Sequence, residues 1–90
     1  MSVTHNNVTV GTTATVISTA ASDRDGHSVL IQNPTGGVTV YIGGAGVTTS
    51  SYGVALAAGS DISMDLLQNE IVYGIVTTGT QAVNVLRTGN

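Results

Sequence analysis

The feature that most constrains this chain is the make-up of its strand-forming segments, which are short runs of Val, Ile and Thr separated by Gly-rich turns. One example is Val38-Thr39-Val40-Tyr41-Ile42, which is followed by Gly43-Gly44-Ala45-Gly46. β-branched and aromatic residues favour strands, whereas glycine clusters mark the turns between them. The chain has no lysine and a single glutamate, so it lacks the charged surface typical of helices. This pattern predicts an all-β domain.

The clearest alternation lies in the segment from Ser60 to Leu66. Ile62 and Met64 point to one side of a strand there, while Asp61 and Asp65 point to the other. A half-buried strand with a polar outer face has this pattern. A helix is the second interpretation, because Asp61 could cap an N-terminus, but the β-branched residues and glycine that follow disfavour it.

Seven or eight short strands can be counted, with turn signals between them. The predicted strands are Val8–Val10, Ala14–Ser18, Ser28–Gln32, Val38–Ile42, Val54–Leu56, Ser60–Leu66, Ile71–Val76 and Ala82–Arg87. Short strands separated by turn signals at regular intervals are typical of sandwiches and small barrels. We therefore predict a small antiparallel β-sandwich or jelly-roll-like barrel in which the first two strands form a hairpin. Residues 1–7 are predicted to be a flexible N-terminal arm, and residues 8–90 a single β domain.

Size and charge exclude several classes of partner. The 90 residues carry a net charge of −3, with Arg24 and Arg87 as the cations. Nucleic-acid binding needs a basic track and stacking aromatic residues, so we expect no nucleic-acid partner. The apolar stretches are far shorter than the ~20 residues that span a bilayer, so we expect no membrane partner. A domain of this size buries only roughly 60–65% of the surface that its unfolded chain exposes, and partner subunits would supplement its stability.

No motif in the sequence predicts catalysis, a metal site or a cofactor. Cysteine is absent, and His5 and His27 have no third ligand in a recognisable register. Asp61 and Asp65 would lie about 13 Å apart along one strand, too far to share a proton. The glycines of Gly43–Gly46 are not followed by the Gly-Lys-Ser/Thr of a phosphate-binding loop. We therefore predict a non-enzymatic protein.

Two smaller features of the sequence are a turn-like acidic segment and a tyrosine in a polar loop. Asp23-Arg24-Asp25-Gly26 resembles part of a calcium loop, but the later glutamate is missing and a turn is the better interpretation. Tyrosine gives amphipathic contact area at low entropic cost, and the chain has three. Tyr52, in the hydroxyl-rich loop from Val47 to Gly53, is the best candidate for an interface residue.

From Ser28 to Leu86, about two thirds of the chain, the order of segments resembles small structural proteins of tailed bacteriophages, including capsid decoration (cement) proteins. No single segment is diagnostic, and the order and spacing carry the resemblance. The segments are Leu30-Ile31-Gln32-Asn33, Val38-Thr39-Val40-Tyr41-Ile42-Gly43-Gly44, Val47-Thr48, Gly53-Val54-Ala55-Leu56-Ala57-Ala58-Gly59-Ser60-Asp61-Ile62-Ser63, Val72-Tyr73-Gly74-Ile75-Val76, Gly79-Thr80 and Val83-Asn84-Val85-Leu86.

The resemblance implies a protein of the virion that lies on the outer surface of the capsid and clamps neighbouring subunits. Its partners would be the major capsid protein and copies of itself, as a homotrimer. An N-terminal arm orders against the shell in several such families, which makes Val3, Thr4, His5 and Asn6, together with Tyr52, the predicted capsid or subunit contacts. The alternative is a head-fibre or tail-associated module that binds a host glycan or receptor. A small cupin-like hydrolase is a third interpretation, disfavoured by the missing metal ligands.

Overall fold

The computed structural model describes residues 2–19, 27–66 and 70–89, and every regular element in these ranges is a strand. For residues 2–4, 18, 19, 27, 66, 88 and 89 it describes the backbone alone. The predicted Asp23–Gly26 turn lies outside the described residues. The eight strands are β1 (Ser2–Val10), β2 (Thr15–Thr19), β3 (His27–Gln32), β4 (Val40–Gly43), β5 (Val54–Leu56), β6 (Asp61–Leu66), β7 (Ile71–Ile75) and β8 (Gln81–Gly89).

The strands form two antiparallel sheets of four strands each. Sheet I has the order β1-β8-β3-β6, and sheet II has the order β2-β7-β4-β5. Eight strands that alternate in this way between two sheets form a jelly roll, in which two Greek keys are folded onto each other. The predicted all-β class, a small antiparallel sandwich or jelly-roll-like fold, is confirmed. Within the described ranges, no helix is long and apolar enough to cross a membrane.

The first two strands do not form the predicted hairpin. β1 pairs with β8, with Val8 opposite Val83, while β2 pairs with β7 in the other sheet. The short connection between β1 and β2 crosses from one sheet to the other, where the carbonyl of Gly11 accepts a hydrogen bond from the Val76 amide at 3.0 Å. Alternation predicts a strand and its inward face, but it does not specify which strand lies beside it.

β1 begins at Ser2 rather than at Val8. The residues predicted as an arm continue the ladder with β8, from Asn7 opposite Asn84 to Ser2 opposite Gly89. The described polar side chains of this segment, residues 5–7, show no inward alternation, because polar Asn6 occupies the position that would face the core, although it lies opposite buried Val85. His5, Asn6 and Asn7 are all exposed there. Backbone pairing with β8, which carries no side-chain signature, extends the strand.

β4 starts at Val40, two residues later than the predicted Val38. The Val38 amide donates to Oε1 of Gln81 at 3.0 Å, and its carbonyl accepts a hydrogen bond from the side chain of Asn33 at 2.9 Å. Side chains therefore take the backbone groups that a ladder would use, and Val38 is 38% exposed.

Among the described side chains, every buried member of the core between the sheets is Val, Ile or Leu. Ile62 and Met64 of β6 pack against it, while Asp61 and Asp65 are exposed, as the alternation predicts. The helical alternative for this segment is therefore wrong. The buried members of the core are Val10, Ile17, Val29, Ile31, Val40, Ile42, Leu56, Val72, Val76, Val83 and Val85.

Gly74 leaves space beside β7 for side chains of the two neighbouring strands in sheet II. A Cβ atom at this position would lie 2.5 Å from Cδ1 of Ile17 and 3.3 Å from Cγ1 of Val40. The missing side chain therefore provides the space in which residues from β2 and β4 reach the core.

Asn33 ties three segments together at the end of β3. It is fully buried, and its Nδ2 donates to the carbonyls of Val38 at 2.9 Å and Leu56 at 2.8 Å. Its backbone amide donates to the Ser60 carbonyl at 2.9 Å, and its own carbonyl accepts from the Gly59 amide at 2.7 Å. One residue thus pairs with backbone groups before β4, at the end of β5 and before β6.

Candidate contact surfaces

The outer side of sheet II carries all three tyrosines of the chain. Tyr41 lies between buried Val40 and Ile42 on β4, so its side chain points away from the core. Tyr73 lies between buried Val72 and Gly74 on β7 and points the same way. The ladder places Gly43, rather than Tyr41, opposite Tyr73, so the two tyrosines are diagonal neighbours. Diagonal neighbours on a sheet are within reach of each other when the side chains are aromatic.

Tyr52 joins this surface from the loop between β4 and β5. Its ring centroid lies 4.7 Å from that of Tyr41, with an interplanar angle of 54°. The Gly53 amide donates to the Ile42 carbonyl at 2.8 Å, which extends the β4–β5 pairing to the residue beside the tyrosine. Such tilted ring pairs add stabilisation beyond the area that they bury. Tyr52 nevertheless remains 46% exposed, which leaves its ring available for contact.

The hydroxyl-rich loop holds Tyr52 in place through its own hydrogen bonds. The Thr48 amide donates to the Ser51 carbonyl at 2.8 Å, and the Ser51 amide donates to Oγ1 of Thr48 at 2.9 Å. The glycine run before it forms a turn in which the Val47 amide donates to the Gly44 carbonyl at 3.0 Å. Val47 is buried, so the loop is anchored at its start.

Apolar side chains surround the tyrosines. Val16 of β2 lies opposite Tyr73 and is 45% exposed, and Ile71 of β7 is 42% exposed. Ala55 lies opposite Tyr41 on the edge strand β5. We call this surface the tyrosine face; it consists of Val16, Tyr41, Tyr52, Ala55, Ile71 and Tyr73. None of these residues is charged. Val16, Tyr52 and Ile71 are large side chains that are exposed to solvent.

A concavity of about 270 Å³ opens beside the tyrosine face. Four glycines line it together with Val47, the hydroxyl-bearing residue Ser51 and Tyr52. The close approach of Gly43 to Val47 shapes the floor, since a Cβ at Gly43 would lie 3.1 Å from Cγ2 of Val47. The site therefore combines an aromatic ring with backbone polar groups.

The outer side of sheet I is polar by comparison. Nδ2 of Asn7 on β1 donates to Oδ1 of Asn84 on β8, and Nδ2 of Asn84 donates to Oε1 of Gln32 on β3 at 2.9 Å. The three residues are directly opposite one another in the ladders, so their amides form one row across the sheet. We call this the amide row. Asp61 of β6 lies opposite Gln32 and continues the line.

A second concavity of about 270 Å³ lies next to the amide row. Leu30 and Leu86 are paired across β3 and β8 and provide its apolar part, and His5 lies opposite Leu86 at the edge.

Comparison with known proteins adds information on the fold. No protein-family model and no curated protein sequence matches this chain. A solved structure is similar. It comes from Bacillus endospore appendages, which are described as a novel family of disulfide-linked pili. The similar region spans 96% of the present chain and 83% of the appendage chain, with 20% sequence identity and a TM-score of 0.62. Identity this low shows the shared β fold alone, and the present chain has no cysteine for a disulfide.

The predicted contact residues do not lie on one surface. His5 and Asn6 are exposed on β1 in sheet I, and Tyr52 lies on the outer side of sheet II. The side chains of Val3 and Thr4 lie outside the described atoms. Sequence reasoning did not place Tyr41 and Tyr73 beside Tyr52, although alternation alone predicts that each points outward from its own strand.

The two aspartates of β6 lie on its exposed side, where one of them is hydrogen-bonded. Asp65 accepts a hydrogen bond from Oγ of Ser28 at 2.7 Å, and Asp61 lies at the far end of the same strand face. Among the residues with described side chains, no three of His, Cys, Asp or Glu are grouped as a metal ion would require.

Proposed function

We propose that this protein is a non-enzymatic structural protein of a bacteriophage virion, which binds the major capsid protein on the outer surface of the head as a decoration (cement) protein. The sequence resemblance suggests this setting. The observation that carries the proposal is the tyrosine face, an uncharged aromatic surface on a rigid sheet. Protein interfaces are enriched in tyrosine and depleted of charge at their centres, and this surface has both properties.

Decoration requires only binding to the assembled shell. A protein that binds assembled capsid, and not free subunits, shifts the equilibrium toward the shell by mass action. Because the same contact repeats many times over the particle, each single contact can be modest. A patch of six uncharged residues, five of them on strands and Tyr52 on a hydrogen-bonded loop, suits such a contact.

The experiment that tests this proposal is add-back binding to capsids that lack the protein. Tyr52→Ser and Tyr73→Ser would remove an exposed and a half-buried ring, respectively, from the tyrosine face, and each should weaken capsid binding about tenfold or more. Leu86→Ser is the matched control, because Leu86 is 38% exposed on the other sheet. It should bind like the parent protein.

Two outcomes would contradict the proposal. One is unchanged capsid binding by both tyrosine variants while they remain folded. The other is mass spectrometry of purified particles in which the protein is missing or present at the low copy number of a tail component.

A second candidate function is recognition of a host glycan by a head-fibre or tail-associated module. The observation that favours it is the concavity beside Tyr52, where an aromatic residue, the hydroxyl-bearing Ser51 and several glycines lie together. Sugar sites combine an apolar platform with a few polar groups in this way. Glycan-array binding that Tyr52→Ser abolishes, without affinity for capsids, would support this function over decoration.

A further inference from the structure

The four edge strands of this sandwich differ in how well they resist pairing with another chain. An exposed edge presents unpaired backbone groups, and proteins usually protect it with charges, bulges or short length. β6 carries Asp61 and Asp65, β2 has an irregular register between Val16 and Ser18, and β5 has only three residues. Each of these three edges therefore has a recognisable protective feature.

β1 has none of these features. Its nine residues pair with β8 in a continuous register from Ser2 to Val10, without a bulge. Its sequence, Ser-Val-Thr-His-Asn-Asn-Val-Thr-Val, contains no proline and no Asp, Glu, Lys or Arg. The edge that faces away from β8 is therefore long, regular and free of acidic, Lys and Arg side chains, and an added strand can pair with it without a bulge or a carboxylate in the way.

The amide row indicates which strand fits there. The row runs from Gln32 through Asn84 to Asn7 and ends at Asn7, because β1 is the last strand of the sheet. A primary amide both donates and accepts hydrogen bonds, so an asparagine is complementary to another asparagine across a two-fold axis. A second copy of the same strand presents that asparagine at the required position.

We infer that β1 pairs antiparallel with β1 of a second copy of this chain, about a two-fold axis at Asn7. The two copies of sheet I then form one continuous sheet, and the amide rows of both copies join at the axis. In this register His5 of each copy lies opposite Thr9 of the other. A two-fold contact is self-complementary and closes as a dimer. The same pairing through β6 would place aspartates of the two copies near one another, which disfavours it.

This dimer is independent of the proposed decoration function. It involves sheet I, so the tyrosine face on sheet II remains uncovered in both copies. It also differs from the trimer that the phage resemblance implies, so the oligomeric state of the isolated protein distinguishes the two.

Sedimentation of charge variants tests the pairing and its register. In His5→Lys with Thr9→Lys, lysines of the two copies face each other twice, and the dimer dissociation constant should rise about tenfold or more. In His5→Glu with Thr9→Lys, the opposed charges attract, and dimerisation should be retained. Ser63→Lys with Thr80→Lys is the control, because it adds the same charge at exposed positions away from β1.

Hydrogen exchange of the unaltered protein provides a second measurement that does not depend on variants that fold. Amides of β1 that face the open edge should exchange more slowly as the protein concentration rises. The inference is wrong if the protein is a monomer at all concentrations, if it is a trimer, or if the dimer is insensitive to the double lysine variant. Equal loss of the dimer in the Lys/Lys and Glu/Lys variants would contradict the register at Asn7.

Discussion

At the scale of single residues, two positions control this fold through opposite properties. Asn33 supplies a polar group inside the protein, and Gly74 supplies the absence of a side chain. The sequence predicts that Asn33 and the residues after it end a strand. The sequence does not show that the side-chain amide of Asn33 reaches the carbonyls of two later segments. Those carbonyls lie further along the chain, at Val38 and Leu56, and only folding brings them beside Asn33 and removes their water.

Replacing Asn33 by Ala should lower the free energy of unfolding by about 2–4 kcal/mol, because two carbonyl groups lose their partner. Asn33→Asp keeps the shape but lacks the amide donors, and it should be at least as destabilising. Urea unfolding followed by circular dichroism measures both. Asn6→Ala, at an exposed position, is the control and should change stability by less than about 0.5 kcal/mol. A loss of that small size at Asn33 would show that its hydrogen bonds contribute little.

Replacing Gly74 by Ala should destabilise the protein by about 1–3 kcal/mol, since the new methyl group overlaps Cδ1 of Ile17. The additional substitution Ile17→Val removes that methyl, so the double variant should be more stable than the sum of the single effects. Gly44→Ala is the matched control, because no atom lies within 4 Å of its Cβ position. If Gly74→Ala and Gly44→Ala have the same unfolding midpoint, the proposed crowding at β7 is wrong.

At the scale of the elements, β1 shows how far local patterns can be trusted. Its hydrophobic residues Val8 and Val10 predict a strand that starts at Val8, but the strand begins at Ser2. β6 is predicted within one residue because Ile62 and Met64, on one of its faces, pack against the core. Asn6 occupies the position that would face the core, but it is polar and exposed, so alternation underestimates the length of this edge strand.

Replacing residues 2–7 by a Gly/Ser sequence of equal length tests whether this segment contributes as a strand. The structure predicts that the free energy of unfolding falls by about 1–3 kcal/mol, as backbone pairing with β8 weakens. A flexible arm would predict a change of less than about 0.5 kcal/mol. The measurement is made at a concentration where both proteins are monomeric, so that any loss of dimer does not contribute.

At the scale of the whole molecule, the pairing of the first strand with the last dominates the topology. Ser2 lies opposite Gly89, and β8 lies between β1 and β3 at the centre of sheet I. Contacts between distant segments slow folding, because loop closure costs entropy before the contacts form. The same pairing brings the two ends of the described chain together.

A circular permutant should therefore fold to the same structure. Joining residue 89 to residue 2 through a short glycine linker converts β8 and β1 into a hairpin, and the chain can be opened between Thr78 and Gly79, where the residues are exposed. We expect the unfolding free energy to change by less than about 2 kcal/mol and refolding to become faster, because the β1–β8 contacts become local. Stopped-flow refolding measures the rate. A permutant that folds more slowly than the parent would indicate that β1–β8 closure does not limit the rate.

Some residues of the tyrosine face can be predicted from the local sequence, and others depend on which strands are neighbours. The sequence identifies Tyr52 as an exposed aromatic residue in a loop, because hydroxyl and glycine residues surround it. It cannot place Tyr41 and Tyr73 next to Tyr52, because that requires β4 and β7 to be neighbours in sheet II. Val16 and Ile71 join the tyrosine face for the same reason, through the position of β2 beside β7.

By itself, the sequence determined that this protein is all-β, where most strands lie, and which side of β6 is buried. These properties follow from side-chain shape and from alternation, which act over a few residues. Only the tertiary structure decided that β1 pairs with β8, that Asn33 bridges three segments and that the tyrosines share one face. The physical reason is that backbone groups are chemically alike in every strand. The choice of partner depends on closing two sheets over a single aliphatic core, which is a property of the whole chain.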